Sequence, residues 1–261
     1  MMIFSLTPDD VVTFMLVLIR IGGIILTAPL FSHPRVPPPL RMGIALLLTF
    51  LLRPVIAVHF PEASGSVVVL ALLVIKEALT GVIIGYTANL VFSVVQMAGE
   101  MQDTQAGFSL ANTMDPTLSP HSAILGQFQL VLMWLLFFAV KGHQVLIQGI
   151  ADSFVVIPLG TASFDGVLTL QMTGMVTSLL LLALRISAPV IGAVLLADLA
   201  VGMIQRTAPQ LNLLAIGFQV KIAVAVLALT FALPFILLGE RGLVPLLGSQ
   251  VFEMTRLLSG R

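Results

Sequence analysis

Five ionisable side chains lie inside otherwise apolar stretches of this sequence: Arg20, Lys76, Glu77, Arg185 and Asp198. On insertion scales a charge at mid-membrane costs roughly 2.5–3.5 kcal/mol, so five facing lipid would cost on the order of 10 kcal/mol. That cost needs compensation. Intramembrane acids and bases can relay ions or protons, and Arg20, Glu77 and Asp198 would be the relay of a small secondary transporter. The plainer reading is that long side chains snorkel, or sit near helix ends. A third reading, the favoured one, buries these charges against partner subunits that supply counter-charges. Lys76 and Glu77 are adjacent, about 100° apart around a helix, so they do not face each other.

Other chemistry finds little support. Gly107-Phe108-Ser109-Leu110 has the short G-x-S-x form of a membrane-embedded serine nucleophile, which would need a histidine on a later membrane helix. The four histidines are His33, His59, His121 and His143, and none falls in the last two apolar stretches. There is no H-E-x-x-H, no metal-ligand spacing of His, Asp and Glu, and no phosphate-cradling glycine loop. With no cysteine in the chain, thiolate catalysis, disulfides and Cys-ligated metals are excluded. No catalytic, cofactor or metal site is expected. The methionines read mostly as core filler, although Met101 and Met114 flank the central segment described below.

The elements that must carry these residues are helices. The chain is 58% hydrophobic and 9% charged, against about 25% charged in soluble domains, and its mean hydropathy is +1.11. This composition belongs to an integral membrane protein or a subunit buried in a hydrophobic assembly. Formal charge is +0 with no basic run, so nucleic acid is not an expected partner. Apolar segments fall near 11–31, 41–58, 67–98, 123–140, 172–200 and 213–239. Strand patterning is absent, so the fold is read as all-α, with some helices too long for one simple span.

Breakers punctuate the segments. Thr7, Pro8, Asp9 and Asp10 read as a helix start, with no basic run that would make a cleaved signal peptide. The run PLFSHPRVPPPL (29–40) is a rigid corner. Ser119-Pro120 would cap and start the fourth segment, and Lys141-Gly142-His143 reads as a cation near a helix C-terminus with a glycine stop. Ala208-Pro209 ends a further helix. No linker divides the chain, so residues 1–261 are read as one domain. The positive-inside rule sets Arg53, Lys141, Arg241, Arg256 and Arg261 against Arg35, Arg41, Arg206 and Lys221, and decides nothing. Simple zig-zag threading is therefore suspect.

The segment 99–120, GEMQDTQAGFSLANTMDPTLSP, is unlike its flanks. It carries Glu100, Asp103 and Asp115 but no Lys or Arg, together with Phe108, Leu110 and Met114. A loop of this length without periodicity is functional or disordered, and its apolar residues argue against disorder. Farther on, Asp198, Gly202 and Arg206 recur every four residues, placing a small residue between two charges on one helix face. That face could dock a neighbouring subunit or pack within the chain.

Several blocks together carry a resemblance: LIRIGGIILTAPLFSHPRVPPPLRMGIAL (18–46), GEMQDTQAGFSLANTMDP (99–116), FAVKGHQ (138–144) and ADLAVGMIQRTAPQLN (197–212), followed by Lys221. Over nearly its whole length the chain resembles the FliR family, the R component of the flagellar type III protein export gate, whose pattern is shared by the SctT-like proteins of virulence secretion systems. One departure is Lys141-Gly142-His143-Gln144, where many relatives read GGH or GGHH, so no family role is assigned to His143.

The resemblance implies a non-enzymatic subunit of the bacterial inner membrane, multi-pass and part of the flagellar basal body. It implies a helical, pore-forming hetero-oligomer with P- and Q-type subunits, contacts with larger export-gate membrane components, and passage of unfolded flagellar proteins. The family's assembly stands largely raised out of the bilayer. A loop of the R subunit plugs the closed pore, and its match here is Gly107, Phe108, Ser109, Leu110, Ala111, Asn112, Thr113, Met114, Asp115 and Pro116. Apolar bulk at 108, 110 and 114 suits a dewetting constriction, Gly107 a pivot and Asp115-Pro116 a stiff turn. Glu100, Asp103 and Gln105 would mount this plug. Asp198, Gly202 and Arg206, extended through the motif to Pro209, Gln210 and Asn212, would form the subunit interface.

Overall fold

Pro8 opens the first described helix and Asp9 and Asp10 occupy its first turn, where acidic side chains complement the exposed N–H groups. The computed structural model describes residues 8–29, 31–33, 36–54, 67–108, 123–207 and 213–260. Within these are α1 (Pro8–Thr27), α2 (Pro38–Leu52), α3 (Val67–Ala106), α4 (Ile124–Ala139), α5 (Gly142–Val156), α6 (Gly166–Thr207) and α7 (Leu213–Leu258). No strand occurs among the described residues. Thr7, Ser119-Pro120 and Ala208-Pro209 lie outside them, as do Leu30, Pro34 and Arg35 of the proline-rich corner.

Four of the helices are long and apolar enough to cross a membrane: α1, α3, α6 and α7. With 40, 42 and 46 residues, α3, α6 and α7 run about 60–69 Å, roughly twice a ~30 Å hydrocarbon core. α2, with 15 residues, is about 22 Å long and falls short of that core.

Three boundaries differ most from the sequence reading, the first being α7, which runs to Leu258 where the last apolar segment closed near 239. Gly99–Ala106 is not loop: it forms the last two turns of α3. The turn after α4 does not stop at a glycine. Lys141 itself takes the left-handed conformation, φ 59, and Gly142 begins α5, a helix that falls in none of the apolar segments read from the sequence.

α7 shows why the long helices hold together. Ala225, Leu229, Ala232, Ile236, Leu243, Leu247, Val251, Met254 and Leu258 are buried, each three or four residues from the next apart from one gap. Glu240, fully buried, fills that gap. The stripe repeats the helical period and faces inward. The opposite side stays apolar as well: Phe231 and Phe235 are about three-quarters exposed, at 77% and 75%. An outer surface of this kind suits lipid or other subunits, not water.

The chain packs as two compact units, one of Met1–Leu90, Lys141–Thr173 and Pro245–Arg261, the other of Val91–Val140 and Gly174–Val244. In the first, α1 and α3 approach backbone to backbone. A β-carbon at Gly81 would overlap the Arg20 carbonyl, and one at Gly23 would lie 3.0 Å from the Ala78 carbonyl oxygen. Small residues at a crossing permit this approach. Arg53 also pairs with Asp10. The second unit is built around Phe92, whose ring centroid lies 4.6 Å from that of Trp134 and 5.2 Å from that of Phe137.

Candidate functional site

The base of the central segment is assembled from the end of α3 and the start of α4, both in the second unit. The first N–H groups of any α-helix lack intrahelical acceptors. At α4 the N-cap residue, Ala123, has no side chain to supply one. Asp103 supplies it from α3: its Oδ1 accepts the Leu125 N–H and its Oδ2 the Gly126 N–H, each at 3.1 Å. Asp103 is 4% exposed, and its carboxylate lies where a helix N-terminus favours negative charge.

Two further contacts fix the same junction. Gln129 Nε2 donates to Gln102 Oε1 at 2.7 Å, with both residues buried. A β-carbon at Gly99 would overlap the Gly126 Cα, so glycine is required where the backbones meet. Ser187 of α6 donates to Met101 Sδ at 3.8 Å. α3 then ends at Gly107, φ 90, whose N–H reaches the Asp103 and Thr104 carbonyls at 3.1 and 3.3 Å. This is a left-handed glycine terminus of the usual kind.

Of the expected mount residues, Asp103 therefore ties α3 to α4. Glu100 is exposed and accepts from Gln96 one turn earlier at 2.9 Å. Gln105 is half-buried, as is Phe108. Ser109, Leu110, Ala111, Asn112, Thr113, Met114, Asp115 and Pro116 lie outside the described residues. The sequence reading missed Gln102 and Gln129 as a pair and Gly99 and Gly126 as a contact. Gln129 was the available signal, since an amide within ILGQFQLVLMWLLFFA needs a polar partner.

The charges within apolar segments divide between the two units. In the first, Arg20 Nε and Nη2 bind Glu77 Oε2 and Oε1 at 2.5 and 3.0 Å, with both side chains fully buried. Arg20 Nη1 also donates to the Ser153 and Ile157 carbonyls at the end of α5. Its guanidinium carbon lies 4.5 Å from the Phe154 ring centroid, and Glu77 Oε1 accepts the Gly160 N–H at 2.7 Å. For this pair the favoured reading, counter-charges from partner subunits, is replaced by a counter-charge from the chain itself. In the second unit, Lys221 on α7 pairs with Asp198 on α6 at 2.6 Å. Gly202 and Arg206, farther along α6, are exposed, and no atom lies within 4 Å of where a Gly202 β-carbon would be. Pro209, Gln210 and Asn212 lie outside the described residues.

Comparison with known proteins agrees along most of the chain. Residues 11–242 match the family described as bacterial export proteins, family 1. The chain is 35% identical over 239 residues to the flagellar biosynthetic protein FliR of Bacillus subtilis (strain 168), covering 89% of this chain and 90% of that protein. It is 30% identical over 220 residues to FliR of Escherichia coli (strain K12), covering 84% and 83%. The Yop proteins translocation protein T of Yersinia pestis is 28% identical over 233 residues, covering 87% and 88%.

Proposed function

The chain belongs to the bacterial export proteins, family 1, and on that premise we propose that it is a structural subunit of the flagellar type III protein export apparatus. It is a multi-pass component of the inner membrane, with four described helices of spanning length. Its work is to line and gate a passage rather than to catalyse a reaction. P- and Q-type subunits complete the pore, and unfolded flagellar proteins pass through it. The outward apolar faces of α6 and α7 suit such neighbours, because surface of that kind needs protein or lipid against it.

Within this role, residues 107–116 plug the closed passage. The observation that carries the reading is the built base of the segment. A plug must rest on something that holds its ends while the passage stays sealed. Asp103, Gln102 with Gln129, and Gly99 against Gly126 supply such a base. The side chains of Phe108, Leu110 and Met114 are the apolar bulk a dewetted constriction needs. Replacing residues 108–114 with Gly and Ser in the assembled complex should preserve assembly and let the closed gate leak ions or small solutes. Conductance no greater than that of the unaltered complex would refute the plug.

The virulence-secretion reading rests on the Yersinia relative; the flagellar relatives match at higher identity and support the main reading. A transporter relay through Arg20, Glu77 and Asp198 is disfavoured, since Arg20 and Glu77 saturate each other and Asp198 pairs with Lys221. It predicts solute flux by the isolated chain in liposomes, where the export-gate reading predicts none.

A further inference from the structure

Building on the reading of this chain as one subunit of a pore-forming assembly, we propose that Arg185 marks a docking face on α6, covered in the assembly by an apolar helix of a neighbouring subunit that carries an Asp or Glu.

The chain answers its other internal charges and leaves this one. Arg20 pairs with Glu77 and Asp198 with Lys221, and Lys76 donates to the Gly160 carbonyl at 3.4 Å. Arg185 is exposed, and among the described residues it has no ion pair and no side-chain hydrogen bond. Pro189 leaves a second polar group unmet in the same turn. It lies inside the helix and has no N–H, so the Arg185 carbonyl lacks its usual donor four residues on. The surroundings are apolar. Leu181, Leu184 and Leu196 are exposed, and a β-carbon at Gly192, about two turns on along the same face, would meet no atom within 4 Å. Among the described residues, nothing in this chain covers that face.

Depth decides between protein and lipid as the cover. Residues 166–178 of α6 carry Thr169, Gln171, Thr173, Thr177 and Ser178, whereas 179–197 carry Ser187 as their one hydroxyl beside Arg185. The more apolar stretch, 179–197, is about 28 Å long, which matches a hydrocarbon core of ~30 Å. Arg185 lies about 9 Å inside it. A charge at that depth is costly unless something there meets it. A headgroup phosphate lies outside that depth, and a phosphodiester has no donor for the freed carbonyl. A helix of an adjoining subunit can bring both groups: a carboxylate for the guanidinium, in the two-bonded form that arginine favours, and a donor for the carbonyl.

Arg185→Glu sets like charge against the partner's acid. In the co-expressed export complex, recovery of neighbouring subunits with this chain should fall by about tenfold or more. The unfolding midpoint of the chain alone in detergent should stay unchanged, because position 185 is exposed. Arg185→Lys keeps the charge and identifies the partner directly. A carbodiimide joins an ammonium group to a carboxylate it touches, and the chain's own lysines are Lys76, Lys141 and Lys221. Peptide mass should show a link from position 185 to an Asp or Glu of another subunit. Replacing that acid with Arg should restore recovery of the Arg185→Glu complex.

Recovery of the Arg185→Glu complex within about twofold of the unaltered one would overturn the proposal. If that variant also bound phosphatidylglycerol vesicles less well, the guanidinium would belong to lipid phosphate instead. A link from position 185 to a carboxylate of this same chain would overturn the proposal as well. The pore-subunit reading fails by a separate result, in which the unaltered chain brings down no export-gate subunit.

Discussion

Arg20 and Glu77, 57 positions apart in the chain, form a two-bonded ion pair with no exposed surface on either side chain. Its remaining donors and acceptors are engaged: Arg20 closes the C-terminal carbonyls of α5, and Glu77 holds the Gly160 N–H. The pair therefore joins α1, α3 and the turn after α5 at one point. A buried pair is only as good as its satisfaction, and this one meets that condition.

Removing one partner should be far worse than removing both. Arg20→Ala or Glu77→Ala strands a buried charge and should cost about 3–5 kcal/mol. Arg20→Met combined with Glu77→Leu should recover most of that loss. Thermal unfolding of the detergent-solubilised protein measures each. A double variant no more stable than the singles would contradict the account.

The Asp198–Lys221 pair is about 30% exposed on each side, so breaking it should change stability by only ~0–1 kcal/mol. Arg206 is exposed, and Arg206→Glu should leave the fold unchanged. If Gly202 and Arg206 face a neighbouring subunit, Arg206→Glu should sharply reduce co-purification with P- and Q-type subunits. Full recovery of those subunits would refute an interface role for Arg206.

Lys141 holds a left-handed conformation that costs an L-residue roughly 1–2 kcal/mol. Lys141→Gly removes the β-carbon strain, partly offset by glycine's greater freedom when unfolded, and should stabilise the protein by up to about 1 kcal/mol. Lys141→Val should destabilise it. The unfolding midpoint in detergent decides, and a fall for the glycine variant would count against the assignment of the turn.

Glu240 interrupts the apolar stripe of α7, and among the described residues neither of its carboxylate oxygens has a hydrogen-bond partner. An unpaired polar group in such a place is unfavourable by about 1–3 kcal/mol. Glu240→Met should therefore raise the unfolding midpoint. A lowered midpoint would show that the carboxyl has a partner contributed from elsewhere.

Much of the architecture was legible in advance, for one physical reason. Helical character is local, so the apolar segments that became α1, α3, α6 and the first part of α7, and the acidic first turn of α1, can be read from neighbouring residues. Boundaries were less legible. Residues 99–106 looked like loop because they are polar, yet Gln102 and Asp103 are polar in order to bind α4 from inside a helix. Lys141-Gly142 looked like a glycine stop, but the residue that takes the left-handed turn is the lysine, a choice no propensity favours.

By itself, then, the sequence determined the all-helical membrane class, the family and the place of the odd central segment, because composition, period and motif are properties of neighbouring residues. Only the tertiary structure decided which polar groups meet: Arg20 with Glu77, Asp103 with the start of α4, Gln102 with Gln129, Asp198 with Lys221. A buried polar side chain shows from sequence that it needs a partner, but which partner it finds depends on how distant helices cross.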